Sequence, residues 1–140
     1  FLLIDSVQDP GNIGTMIRTA DAAGMDAVIL GEGCADPYNP KVVRSTQGSL
    51  FHIPILKIRL EEFMNTIGIP IYGTALEGGV AYQQVEPSDE FALLVGNEGQ
   101  GVSKDLLSKT TKNLYIPIYG KSESLNVAIA AGILMYYLRK

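Results

Sequence analysis

The sequence predicts an α/β fold, a mostly parallel sheet with helices on both faces, and two observations carry that prediction. Short apolar runs alternate with periodic or capped segments along the whole chain, as successive βαβ units require. The first thirty residues already hold an apolar run at 1–7 (FLLIDSV), an amphipathic stretch and a second run at 27–30 (AVIL), which is the size of one such unit. A length of 140 residues fits one domain, spanning 1–140, with no room for a second core.

Each element has a local reason. Asp9-Pro10-Gly11 is a turn, because Pro fixes one φ and Gly tolerates an unusual one. Asn12 then stands where a helix N-cap is wanted. Ile13, Met16, Ile17 and Ala20 follow at the spacing of one helix face, and Gly24 suits the left-handed residue that closes a helix. Residues 31–40 read as a loop and 41–47 as a short helix. The third strand is expected at 50–56, a helix at 61–67, a fourth strand at 69–75 and a short extended piece at 80–85. A fifth strand at 91–95 precedes a short helix over 104–108 capped by Ser103. Leu114 to Ile118 closes the series as a buried strand. From Val127 to Leu138 every residue is apolar, aromatic or Gly. That run is too short to span a bilayer and predicts a helix buried on most of its faces. A small domain seldom buries a helix all round, so a partner subunit is expected.

Composition narrows the function classes. The single cysteine, Cys34, excludes an intramolecular disulfide framework and a multi-cysteine zinc site, and no metal is expected. Without a cysteine pair, a signal peptide or a membrane span, the expected setting is a reducing cytoplasm. The chain opens on Phe1 inside an apolar run, which reads as a piece of a longer protein. A net charge of −4 and a pI near 4.9 argue against a general nucleic-acid binder. Local clusters survive a negative total, and Lys41, Arg44 and Lys121 are candidates for a phosphate patch.

In open α/β sheets, ligands bind beyond the carboxyl ends of the strands. Three polar stretches there are candidates: Thr74-Ala75-Leu76, Gly96 to Gly101, and Gly120 to Asn126. None is a dinucleotide or P-loop fingerprint, since Gly96–Gly101 runs G-x-x-G-x-G and no G-x-x-x-x-G-K-[ST] occurs. Taken singly, the polar residues have plain structural readings. Asn12 caps a helix, Arg18 pairs with Asp21, Glu98 accepts backbone N–H bonds and Ser124 caps the last helix. His52 reads as structural, and Tyr136 and Tyr137 as core or interface packing.

Taken together they resemble a known family. Asp9-Pro10-Gly11-Asn12-Ile13-Gly14 with Arg18-Thr19-Ala20 and Gly24 is similar to the first motif of the SpoU (TrmH-type) RNA methyltransferases of the SPOUT superfamily. Val95-Gly96-Asn97-Glu98-Gly99-Gln100-Gly101-Val102 resembles their second motif, and Ile116-Pro117-Ile118 through Ser124-Leu125-Asn126-Val127-Ala128 their third. The resemblance covers nearly the whole chain in the right order. It implies a C-terminal trefoil knot, S-adenosyl-L-methionine as cofactor, a homodimer, and methylation of a ribose 2′-hydroxyl in tRNA or rRNA. It also implies an N-terminal RNA-recognition domain outside this chain. Carried over, it assigns cofactor contacts to Gly96, Ile116 and Leu125, with Thr74, Ala75, Leu76, Asn97, Gly99, Ile118 and Ala128 completing the expected set. Asn12, Arg18, Glu98, Ser124 and Asn126 match the catalytic positions, Arg18 acting from the other subunit. An arginine, with a pKa above about 12, is a poor base at neutral pH and suits stabilisation of a phosphate or oxyanion better. Two other readings stay open: a non-catalytic RNA-binding or dimerisation module of the same fold, and a SPOUT enzyme that methylates a base.

Overall fold

A computed structural model describes residues 1–140. Twelve elements follow in order: β1 (Leu2–Ile4), α1 (Pro10–Ala22), β2 (Val28–Leu30), α2 (Pro40–Ser45), β3 (Ile55–Lys57), α3 (Leu60–Thr66), β4 (Ile71–Thr74), β5 (Val80–Ala81), β6 (Ala92–Val95), α4 (Lys104–Leu107), β7 (Lys112–Tyr115) and α5 (Val127–Leu138). The strands form one seven-stranded sheet in the order β3-β2-β1-β6-β4-β7-β5, and every neighbouring pair is parallel. The central strands are buried on both sides, so they read as unbroken apolar runs.

Because side chains alternate across a strand, the run Leu2-Leu3-Ile4 feeds two cores. Leu2 and Ile4 join Val28, Leu30, Leu93 and Val95 under α1, α2 and α5. Leu3 joins Ile29 and Leu94 under α3 and α4. Helices therefore cover both faces, as the alternation predicts.

Local chemistry sets the helix ends. Asp9, not Asn12, caps α1, its carboxylate accepting from the Asn12 N–H at 3.0 Å, with Pro10 in the first turn. Gly24 adopts φ +74°. Its N–H donates to Asp21 and that of Met25 to Ala20, which is a Schellman closure. Asn126 caps α5 by accepting from Ala128 N–H at 2.8 Å and Ile129 N–H at 3.2 Å, so the cap is not Ser124.

Three strand expectations are corrected. Residues 49–51 form a 3₁₀ turn, and β3 begins only after Pro54, which has no N–H for a ladder. The stretch 80–85 is strand only over Val80–Ala81 and then turns over Tyr82–Gln84. The closing strand covers Lys112–Tyr115 and ends before Ile116, because Pro117 cannot donate. The last helix buries Ala128, Ala131, Leu134, Met135 and Leu138, while Ile129, Ile133 and Tyr136 stand exposed along one stripe. Tyr137 is a packing residue: its ring meets Tyr82 edge-on and its hydroxyl donates to the Val85 carbonyl at 2.7 Å. No helix is long and apolar enough to cross a membrane.

Candidate functional site

Strands β6, β4 and β7 are neighbours in the sheet, so their carboxyl ends meet although they are far apart in sequence. Thr74 ends β4, Gly96 follows β6 and Ile116 follows β7. The three polar stretches singled out in the sequence consequently wall one cleft. Its inner part, a cavity of about 200 Å³, is mostly apolar and lined by Thr74, Ala75, Leu76, Ile116, Ile118, Leu125 and Ala130 among others. Its outer part, about 790 Å³, is polar and lined by Asn12, residues 96–101, Ser124 and Asn126. That outer volume falls within the range of small-molecule sites, roughly 300–1,000 Å³.

Residues lining this cleft carry free backbone donors. The N–H groups of Ile116, Ile118 and Leu125 lie just outside the β7 ladder and before the α5 cap, and none has a partner within the chain. Gly96 N–H is also unpartnered, although Gly96 is buried. A buried N–H without a partner is uncommon and marks a place for a ligand acceptor. Gly96 is required there by close approach, since a Cβ would stand 2.3 Å from Val102 N and 2.4 Å from the Gly101 carbonyl carbon.

Two sets of hydrogen bonds hold the polar side chains at the mouth. Asn126 Nδ2 donates to Asn12 Oδ1 at 3.1 Å. Asp9 accepts from the Asn12 N–H, and its own N–H donates to Glu98 Oε2 at 3.1 Å. Asn97 Nδ2 donates to the Ser6 carbonyl at 2.8 Å, and its Oδ1 accepts from Gly99 N–H at 2.8 Å and Gln100 N–H at 3.1 Å. The Asn97 side chain is thus spent on folding the loop, and Ser6 at the other end holds φ +57°, an uncommon left-handed value for a non-glycine.

The cleft is electronegative. Asp9, Glu98 and Glu123 line it, and no Lys or Arg does.

Two expected residues lie elsewhere. Ala128 is 4% exposed and belongs to the core, and Ala130, two residues on and about 200° around the helix, lines the cleft instead. Arg18 is exposed on α1, makes no ion pair, and does not line the cleft of its own chain. Its anticipated partner Asp21 is bonded to His52 Nδ1 at 3.1 Å. The Ser49 hydroxyl, and then His52, hold the Asp21 carboxyl below its usual range. Sequence reasoning missed Asp9, Glu123 and Ala130. Of these, only Asp9 carried a signal, an Asp ahead of Pro at a helix start.

A parallel α/β sheet with a glycine-walled cleft at its strand ends defines a ligand-binding α/β domain. The chain belongs to the SpoU rRNA Methylase family, whose model matches residues 1–136. It is 60% identical over 141 residues to the 23S rRNA (guanosine(2553)-2′-O)-methyltransferase RlmP of Bacillus subtilis (strain 168), covering 99% of this chain and 57% of that protein. The solved structure of an AdoMet-bound rRNA methyltransferase from Sinorhizobium meliloti superposes with a TM-score of 0.93 at 40% identity, over 98% of this chain and 54% of that one. The SpoU methyltransferase AviRb from Streptomyces viridochromogenes, solved with AdoMet, superposes at 0.89 with 33% identity, over 98% and 55%. The chain spans about half the length of the curated relatives it matches.

Proposed function

We propose that this chain is the catalytic domain of an S-adenosyl-L-methionine-dependent RNA methyltransferase acting on a ribose 2′-hydroxyl of rRNA, in the cytoplasm. One observation carries the reading: the ends of β4, β6 and β7 meet in a single cleft with an apolar inner slot and a polar mouth. The residues fit the cofactor. The unpartnered N–H groups of Ile116, Ile118 and Leu125 suit the edge of an adenine set among Leu76, Ile118 and Leu125, and Gly96 leaves room for close backbone approach. Carboxylates without a neighbouring cation suit a positively charged ligand. The 2′-O-methyltransferase relative favours ribose and rRNA over a base or tRNA.

S-adenosyl-L-methionine supplies an activated methyl group on a sulfonium. The chain supplies position, which dominates an in-line displacement. Glu98, Ser124 and Asn126 stand at the mouth, where a ribose hydroxyl would arrive, and Asn12 fixes Asn126. Glu98 spends Oε2 on the Asp9 N–H and keeps its other oxygen for a substrate proton or hydroxyl. Arg18 reaches a cleft only as a residue of a second subunit, where its permanent charge would stabilise a phosphate or a developing oxyanion. The exposed stripe Ile129, Ile133 and Tyr136 on α5 supports a homodimer. A trefoil knot formed by the C-terminal segment and an N-terminal RNA-recognition domain complete the proposal.

Calorimetry with S-adenosylhomocysteine, with sedimentation and methyl incorporation into unmodified 23S rRNA, tests this reading. Tight binding by a dimer and a mapped 2′-O-methyl nucleotide are expected. A folded protein that binds no S-adenosylhomocysteine overturns the enzyme reading. RNA binding without methyl incorporation would favour the non-catalytic module, and a methylated base would favour the base-modifying alternative.

A further inference from the structure

An electronegative cleft cannot by itself attract a polyanion, so a substrate RNA needs cations elsewhere on the surface. The longest acid-free stretch of the chain supplies several of them. Residues 37–60 carry four of the 11 Lys and Arg and none of the 15 Asp and Glu. Arg59 is taken by Glu32 and Glu62, whereas Lys41 and Arg44, both exposed, enter no ion pair. Two large exposed aromatics bracket α2, with Tyr38 ahead of it 70% exposed and Phe51 behind it 85% exposed.

The packing ties this stretch to the site. Helix α2 crosses α1 closely at Gly14, where a Cβ would stand 2.2 Å from Ser45 Cβ. One and two turns further along the same stripe of α1 come Arg18 and Asp21, and Asp21 holds His52 next to Phe51. Arg18 therefore stands between the α2 crossing and the Phe51 turn, and Asn12 at the start of the same helix faces the cleft.

We propose that the exposed side of α2 and the turn after it is a docking platform for an unpaired segment of the substrate RNA. Lys41 and Arg44 contact phosphates, and Tyr38 and Phe51 stack on bases. Interleaved cations and aromatics are the chemistry that single-stranded RNA recognition uses. The occupant follows from charge: this is the longest stretch of the chain without an acidic side chain, and RNA is the polyanion. This inference rests on the proposed function for its substrate, not for its geometry.

The test uses the full-length protein, a fluorescently labelled 23S rRNA transcript and two variants, Lys41→Ala/Arg44→Ala and Phe51→Ala. Affinity is measured by anisotropy between about 50 and 300 mM KCl, with S-adenosylhomocysteine calorimetry and sedimentation alongside. The double variant is expected to lower the slope of log affinity against log salt by about 1.4, two single-strand phosphate contacts. Phe51→Ala is expected to weaken binding about tenfold without changing that slope. Cofactor affinity should be unchanged in both. Wild-type RNA affinity and salt slope in both variants would overturn the platform, as would altered sedimentation with RNA affinity unchanged, which would make this face an interface between copies. A wild-type protein that shows the expected RNA dependence but transfers no methyl group refutes the proposed function and leaves the platform standing.

Discussion

Asn126 does two jobs whose effects can be separated. Its side-chain oxygen caps α5 by accepting from Ala128 and Ile129 N–H, and its amide donates to Asn12 at 3.1 Å. Truncation to Ala removes an N-cap, worth about 1 kcal/mol, and an exposed hydrogen bond worth roughly 0.5 kcal/mol. Together they amount to about 1.5 kcal/mol. With an unfolding entropy of about 2.1 cal/mol/K per residue, Asn126→Ala should lower Tm by about 5 °C. Asn126→Ser restores a cap but does not reach Asn12, so it should melt within about 2 °C of the wild type. Thermal unfolding followed by circular dichroism at neutral pH measures both, and methyl transfer to rRNA is assayed in parallel. The Ser variant should recover stability while losing at least about tenfold in transfer rate, about 1.4 kcal/mol of barrier. The reasoning is refuted if Asn126→Ala melts within about 1 °C of the wild type, or if the Ser variant is as unstable as the Ala variant.

Three further outcomes are expected. Gly96→Ala drives a Cβ to 2.3 Å from backbone, so the loop must move; S-adenosylhomocysteine affinity should fall at least about tenfold while circular dichroism still shows a folded α/β protein. Glu61 is held below its usual carboxylate range by a hydrogen bond from Lys109 and by that ammonium's charge, and Asp21 by Ser49 and His52. Folded-state values below the unfolded ones mean stability that is present above the unfolded pKa values and lost as pH falls through the folded ones. A Tm profile from about pH 6 to pH 3 should therefore decline, and less so in Glu61→Gln; identical acid limbs would remove Glu61 from the account. Cys34 donates to the Ile4 carbonyl at 3.3 Å and burial pushes its thiol up, so it should react far more slowly with a disulfide reagent at pH 8 than the unfolded chain does.

The fold was legible wherever one short stretch determined its own conformation. The alternation of apolar runs reveals the parallel sheet, because strands buried on both faces need no polar residues. Gly24 reveals its Schellman closure, because few other residues accept its φ. What failed was decided by partners. Asn12 and Asp9 are both good caps in isolation, and the contact between Asn12 and Asn126, 114 residues away, frees the cap position for Asp9. Ala128 and Ala130 are indistinguishable until the angle of α5 against the sheet is known. Apolar character extends the expected strands on to Ile118 and back to Leu50, because it marks burial, while the ladder is governed by N–H donors, which Pro117 and Pro54 lack. The strand order β6-β4-β7, which brings the three motifs together, leaves no trace in local sequence.

That dependence on distant partners shapes how the site must be dissected. From Ser6 through Asn97 and Glu98 to Asp9, Asn12 and Asn126, each polar group at the cleft mouth is fixed by a group from another segment. Preorganised dipoles can stabilise developing charge because they need no rearrangement during reaction. They are preorganised here only once β1, β6 and α5 have all docked, so the site cannot form ahead of the fold. Removing any member therefore disturbs folding and chemistry at once, and a single alanine variant cannot apportion the loss. Substitutions that keep one bond and delete the other, as Asn126→Ser does, separate the two. The same logic applies to Asn97. Asn97→Asp keeps the acceptor for Gly99 and Gln100 N–H but loses the donor to Ser6, and should loosen the left-handed Ser6 turn more than the glycine loop.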